Sequence, residues 1–211
     1  MLAVRVAALR LRDPVVYALP RSGVPVAAEV ADALHAPLDL VLVRKIGAPG
    51  QPELALGAVV DGAAPEMVLN PAIVAATGAT DDFIAAARQR ELVEIERRRL
   101  RYLAGRSPID PAGRDVVVVD DGIATGATAR AALHALRRRG AARLVLATPV
   151  APAETPRALR AEADEIICLL EPSPFYGVGL FYRDFHQLTD DEVIGLLAAR
   201  SHPHMPGGGT M

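Results

Sequence analysis

The sequence predicts an α/β fold, a doubly wound and mostly parallel sheet with helices on both faces. Three observations predict it. Short runs of Val, Ile and Leu recur without polar alternation, as strands covered on both faces require. Helical patterns follow most of these runs, and strand–helix–strand alternation builds right-handed parallel units. One stretch breaks the rhythm with two strands and no helix between them, which marks an antiparallel excursion.

Taken in order, residues 1–13 (MLAVRVAALRLRD) carry arginines throughout and read as an amphipathic helix rather than a secretion signal. Residues 15–19 (VVYAL) form a strand, 24–35 a helix and 38–43 (LDLVLV) a second strand. The excursion spans 44–70, with a Gly/Pro-punctuated loop at IGAPGQPE and strands at 55–60 and 66–69. A long helix over 80–103 begins with Asp81 and Asp82 and ends in arginines, as its dipole prefers. Its basic run RRRLR (97–101) reads as a solvated face, because Arg90–Glu94 and Glu94–Arg98 are spaced to pair within the helix. Strands at 116–119, 144–147 and 166–170 then alternate with helices at 126–139 and 153–163. A single domain over 1–200 is expected, with 201–211 (SHPHMPGGGTM) a disordered tail whose His202 and His204 carry no role.

Composition sets bounds. The chain has 211 residues, 51% hydrophobic and 23% charged, with a net charge of −2. That balance offers nothing to nucleic acid or an anionic membrane. The single cysteine, Cys168, excludes an internal disulfide, suits a reducing cytoplasm and reads as a small buried hydrophobe. No apolar run approaches the ~18 residues of a membrane span.

The chemistry concentrates at 116–133, VVVVDDGIATGATARAAL. A buried strand delivers Asp120 and Asp121 to its carboxyl end, where doubly wound sheets bind ligands. A loop of small residues then opens a helix, and backbone N–H groups at a helix start favour phosphate. Gly122, Ala124, Gly126 and Ala127 let a ligand approach the backbone, and Thr125 and Thr128 add hydroxyl donors. No Gly-Lys-Ser/Thr follows, and the glycines are not spaced as in a dinucleotide fingerprint. Two carboxylates beside a phosphate cradle suit a sugar with a 5-phosphate and free 2- and 3-hydroxyls, and they also suit Mg²⁺.

VVVVDDGIATGAT resembles the phosphoribosyl-pyrophosphate (PRPP) motif of the type I phosphoribosyltransferases. PRSGVP (20–25) is similar to the family's pyrophosphate loop, and LVRKIGAP (42–49) to its flexible catalytic loop. Together they resemble a group of bacterial members whose acceptor is unassigned, over residues 14–190. The resemblance implies transfer of ribose 5-phosphate from PRPP to a nucleobase or amine, with Mg²⁺ as cofactor. It implies that Asp120 and Asp121 hold the ribose hydroxyls and Mg²⁺, and that the backbone from Gly122 to Thr128 holds the 5-phosphate. Ser22 and Gly23 would donate to the pyrophosphate with Arg21 adding charge, in a loop that often carries a cis non-proline peptide. Arg44 and Lys45 would close over the leaving group. A helix start capped by Ser22 and an ordinary basic strand end are the plainer alternatives for these two segments.

The resemblance also adds a small hood over the acceptor, here 171–193, which holds Phe175, Tyr176, Phe181, Tyr182 and Phe185. Those are five of the chain's eight Phe and Tyr residues, able to stack on a base or to form a core patch. Ala124 stands where the 6-oxopurine branch has an aspartate, which weighs against hypoxanthine and guanine. Neither nucleic acid nor membrane is an expected partner, and a homodimer is allowed. A non-catalytic regulator binding PRPP or a nucleotide is the alternative to an enzyme.

Overall fold

The computed structural model describes residues 1–62, 65–103 and 106–200; the expected tail with His202 and His204 lies outside them. Five parallel strands form the central sheet: β1 (Val15–Ala18), β2 (Leu38–Leu40), β6 (Asp115–Val119), β7 (Arg143–Val150) and β8 (Glu165–Leu170). Their order is β2-β1-β6-β7-β8. Successive side chains of a strand face opposite ways, and the valine runs show it. Val117 and Val119 enter one core with α1 (Leu2–Ala7), α2 (Gly23–Leu34), α4 (Asp81–Leu103) and α7 (Asp190–Ala198). Val116 and Val118 enter the other core, with α5 (Ala127–Arg138) and α6 (Glu154–Leu159). All four valines are fully buried, which is why the strand shows no polar alternation.

The excursion is a three-stranded antiparallel sheet of β3 (Val43–Ala48), β4 (Gln51–Val60) and β5 (Glu66–Leu69). This corrects two expectations. The strand read as 38–43 ends at Leu40, and Val43 already belongs to the second sheet. The stretch read as a long loop is a hairpin closed by Pro49 and Gly50. Proline presets φ at the first turn position and Gly50, at φ +69°, supplies the positive φ of the second, as a type II turn requires. The helix α3 (Pro71–Thr77) was not expected; the Asn70 side chain caps it, accepting from the N–H groups of Ala72 and Ile73.

The long helix behaves as its charge pattern predicts, with one change of partner. Glu94 pairs with Arg97 (2.8 Å) and Arg98 (2.7 Å), not with Arg90. Arg99 reaches Asp61 at 3.9 Å and Arg101 reaches Asp190 at 2.7 Å. Each arginine of the 97–101 run thus has an acidic partner. Asp39, inside the apolar-looking second strand, is buried and accepts from the N–H groups of Leu40 (2.8 Å) and Ile109 (2.7 Å). Cys168 is half-buried on the outer strand β8, rather than in the core. No helix among the described residues is long and apolar enough to cross a membrane.

Candidate active site

From β1 the chain moves outward to β2, and from β6 it moves the other way to β7 and β8. The crevice at such a reversal, beyond the carboxyl ends of the strands, is where doubly wound sheets bind ligands. Here the two loops flanking it are 19–23 after β1 and 120–126 after β6. They touch. The Leu19 N–H donates to the Val119 carbonyl at 3.0 Å. Gly23 packs so closely that a Cβ there would lie 3.0 Å from the Val119 oxygen and 3.2 Å from Asp120 Oδ1. A side chain there would need the neighbouring loop to give by a few tenths of an ångström.

The loop after β6 leaves a row of backbone donors unpaired among the described residues. An open cavity of about 160 Å³ is lined by Asp120 and by residues 122 to 129. Gly126 adopts φ +77°, and no side chain caps the helix start behind it. The N–H groups of Gly122, Ala124, Thr125, Gly126, Ala127, Thr128 and Ala129 have no protein acceptor among the described residues. Unsatisfied donors at a helix N-terminus favour an anion. The loop's shape is held from behind: Thr155 Oγ1 donates to the Ala124 carbonyl at 2.6 Å, and Leu159 packs on Gly126.

Asp120 and Asp121 open the second loop, with Asp120 against Gly23 of the first. Burial pushes the Asp120 carboxyl well above the usual carboxylate range, the Asp121 carboxylate beside it adds to the rise, and the Asp121 N–H, which donates to Asp120 Oδ1 at 2.9 Å, opposes it. A cation or a pair of sugar hydroxyls would relieve that cost.

In the first loop the peptide between Pro20 and Arg21 is cis, as the resemblance implied. The Arg21 and Ser22 N–H groups have no acceptor among the described residues, and Ser22 does not cap α2 with its side chain. The Gly23 N–H departs from expectation: it closes the turn into α2 by donating to Leu19 O at 3.2 Å. Arg21 leans on Asp190 (3.7 Å), whose carboxylate also accepts from Tyr102 Oη (2.7 Å) and Arg101 Nε (2.7 Å).

Arg44 and Lys45 stand on β3 rather than in a loop, because the hairpin turn takes only two residues. Arg44 Nε contacts Glu91 Oε2 at 2.8 Å, and Lys45 Nζ contacts Glu53 Oε2 at 3.2 Å. The hood segment holds a 3₁₀ turn (Val178–Phe181). Phe175 stacks on Phe181 (centroids 5.9 Å apart) and Tyr182 tilts against Phe185 (5.2 Å). These rings are exposed or half-exposed, so they form no core patch. Val178 and Tyr182 reach down onto the loop after β6.

A model of the phosphoribosyl transferase domain matches residues 3–184. The chain belongs to the phosphoribosyltransferase family. Two Mycobacterium tuberculosis proteins, each bearing the name "Putative phosphoribosyl transferase", MT0597 of strain CDC 1551 and Rv0571c of strain H37Rv, are 47% identical over 196 residues. Those alignments take in 93% of this chain and 44% of each relative, so the chain spans less than half the length of the curated relatives it matches. The crystal structure of TT1426 from Thermus thermophilus is 44% identical, with 95% of this chain and 94% of that one covered and a TM-score of 0.84. The phosphoribosyltransferase fold explains why the strand-end loops meet as they do. It does not by itself account for Thr155, Glu91, Asp190 and Tyr182, whose contacts with the site no local sequence pattern announces. Each lies in an element distant along the chain from the group it holds.

Proposed function

We propose that the chain transfers ribose 5-phosphate from PRPP to a nitrogen acceptor, a nucleobase or an amine, and releases pyrophosphate. The observation that carries the reading is the set of unsatisfied N–H groups at Gly122 and from Ala124 to Ala129, beside the Asp120–Asp121 pair. It suits one ligand part bearing both a phosphate and a diol. The 5-phosphate takes the cradle, and the carboxylates accept from the 2- and 3-hydroxyls. The free N–H groups of Arg21 and Ser22, with the Arg21 guanidinium, face the pyrophosphate. In the step itself the bond from the anomeric carbon to the pyrophosphate oxygen breaks and a bond to the acceptor nitrogen forms. Positive charge develops on the sugar, so fixed dipoles, orientation and exclusion of water supply the acceleration.

The residues fit Mg²⁺. It prefers oxygen ligands and usually takes one or two carboxylates plus substrate phosphates and water, which Asp120 and Asp121 with PRPP would provide. No group of three or more potential ligand side chains exists among the described residues, so such an ion would be shared with the substrate. When bound, Mg²⁺ offsets negative charge on the departing pyrophosphate.

A non-catalytic regulator is favoured by one observation: Arg44 and Lys45 are both engaged by carboxylates. Calorimetry with PRPP and Mg²⁺, followed on the same sample by a screen of purines, pyrimidines and small amines for pyrophosphate release, separates the readings. The expected result is tight binding and turnover with at least one acceptor. Binding without turnover across the panel would favour the regulator, and absence of binding would defeat both. Hypoxanthine is expected to be a poor acceptor because Ala124 offers no carboxylate for proton exchange with the purine; efficient turnover of hypoxanthine would contradict that.

A further inference from the structure

We infer that Tyr182 is a positioning residue that holds the Asp121–Gly122 peptide in the orientation that aims the Gly122 N–H into the phosphate cradle. The inference rests on the proposed PRPP reading and extends it from the loop to the hood. Tyr182 Oη donates to the Asp121 carbonyl oxygen at 2.5 Å. The peptide that follows is trans, and in a planar trans peptide the C=O and N–H point in opposite directions. Fixing the carbonyl toward Tyr182 therefore fixes the Gly122 N–H away from it. Gly122 lines the cradle cavity, and its N–H has no protein acceptor among the described residues.

A glycine peptide of this kind has the freedom to flip, and the hood restrains it from a second direction. Val178 sits against Gly122 so tightly that a Cβ there would lie 2.4 Å from a Val178 methyl carbon. The restraint is itself anchored: the Tyr182 ring lies against Phe185, and Phe185 packs on Gly179. Burial raises the Tyr182 phenol above its ordinary range, and the Asp121 and Asp120 charges raise it further. Its role is indirect, through the backbone of the loop, and no contact with a reacting atom is implied.

Tyr182→Phe tests this, because it removes the hydrogen bond and keeps the ring. Titration calorimetry with three probes, PRPP with Mg²⁺, ribose 5-phosphate, and pyrophosphate with Mg²⁺, is run on wild type and variant alongside thermal melts. The expected result is about three- to tenfold weaker binding of the two probes that carry a 5-phosphate, the range one neutral hydrogen bond allows. Pyrophosphate affinity and melting temperature should be unchanged. Equal affinity of wild type and variant for ribose 5-phosphate would overturn the inference while leaving the PRPP reading intact. Equal weakening of all three probes with a lowered melting temperature would reduce Tyr182 to a structural residue and also overturn it. A wild-type protein that binds none of the three would remove the PRPP reading and this inference together. Tyr182→Leu, which loses ring and hydroxyl, should weaken the 5-phosphate probes at least as much as Phe; a smaller effect would contradict the hydroxyl's role.

Discussion

Asp120→Asn combined with Asp121→Asn is expected to lower PRPP affinity by about a hundredfold to ten-thousandfold, on the order of 3–6 kcal/mol for two charge-assisted hydrogen-bonding groups. The fold should survive it. Asp120 stands at the end of a fully buried strand, and burial raises its pKa. A group whose folded pKa is raised holds its proton more tightly in the native state. Unliganded stability therefore falls as the pH climbs from the unfolded value, about 3.9, through the raised one. Above that window the native state carries a constant cost of ionisation. Asparagine removes the cost, so the double variant should melt at the same temperature as wild type or higher near neutral pH. It should also show a flatter pH dependence of stability above about pH 4, where the unfolded carboxyl has titrated. Calorimetric titration and melts across pH check both parts. Unchanged PRPP affinity would defeat the site assignment, and a melt well below wild type would defeat the account of Asp120.

Gly57→Ala should be the most damaging single change outside the site. Gly57 lies in β4, opposite Leu69 of β5 and Ile46 of β3. A Cβ there would stand 2.1 Å from the Val68 carbonyl oxygen and 2.9 Å from the Leu69 Cα, both backbone atoms that no rotamer can move. The strands must separate to admit one methyl. A loss of about 3 kcal/mol or more is expected, a fall of roughly 6–12 °C in a chain of this size. Gly195→Ala is the control: it sits within α7, where a Cβ meets nothing within 4 Å, and alanine there should be neutral or slightly stabilising. A Gly57→Ala melt within a degree or two of wild type would show that the antiparallel sheet yields more easily than its packing implies. Because Arg44 and Lys45 stand on the same sheet, the variant should also lose turnover more than PRPP affinity.

The central sheet was legible because its signal is local. Four β-branched residues in a row, bounded by Asp-Asp-Gly, favour a strand with both faces covered that ends at the aspartates. The excursion was half legible. Residues 66–69 are a strand as expected, yet IGAPGQPE looked like a loop because Gly and Pro usually mark one. In fact only Pro49 and Gly50 form the two-residue turn, while Gly47 and Pro52 lie within the strands that run right up to it. The α3 helix had a readable signal, Asn70 followed by Pro71, a cap and a first-turn proline. What no local pattern could supply was the set of residues acting across the fold. Glu91 on Arg44, Asp190 on Arg21, Thr155 on the Ala124 carbonyl and Tyr182 on the Asp121 carbonyl are all contacts between distant segments.

The contact between the strand-end loops at Gly23 and Asp120 makes ligand binding a reporter of the whole central sheet. Residues 19–23 and 120–126 are neighbours only while β1 and β6 are paired, so a ligand bridging them binds the native state and not the unfolded chain. Mass action then stabilises the fold by about 2.7 kcal/mol at a hundred times the dissociation constant. That gain should appear as slowed amide exchange in β1 and β6, the strands that a bridging ligand ties together. Ligands confined to one loop, inorganic phosphate for instance, bind more weakly and should protect far less at the same concentration. An equal degree of protection from phosphate and from PRPP at equal concentration would show that one loop alone does the holding.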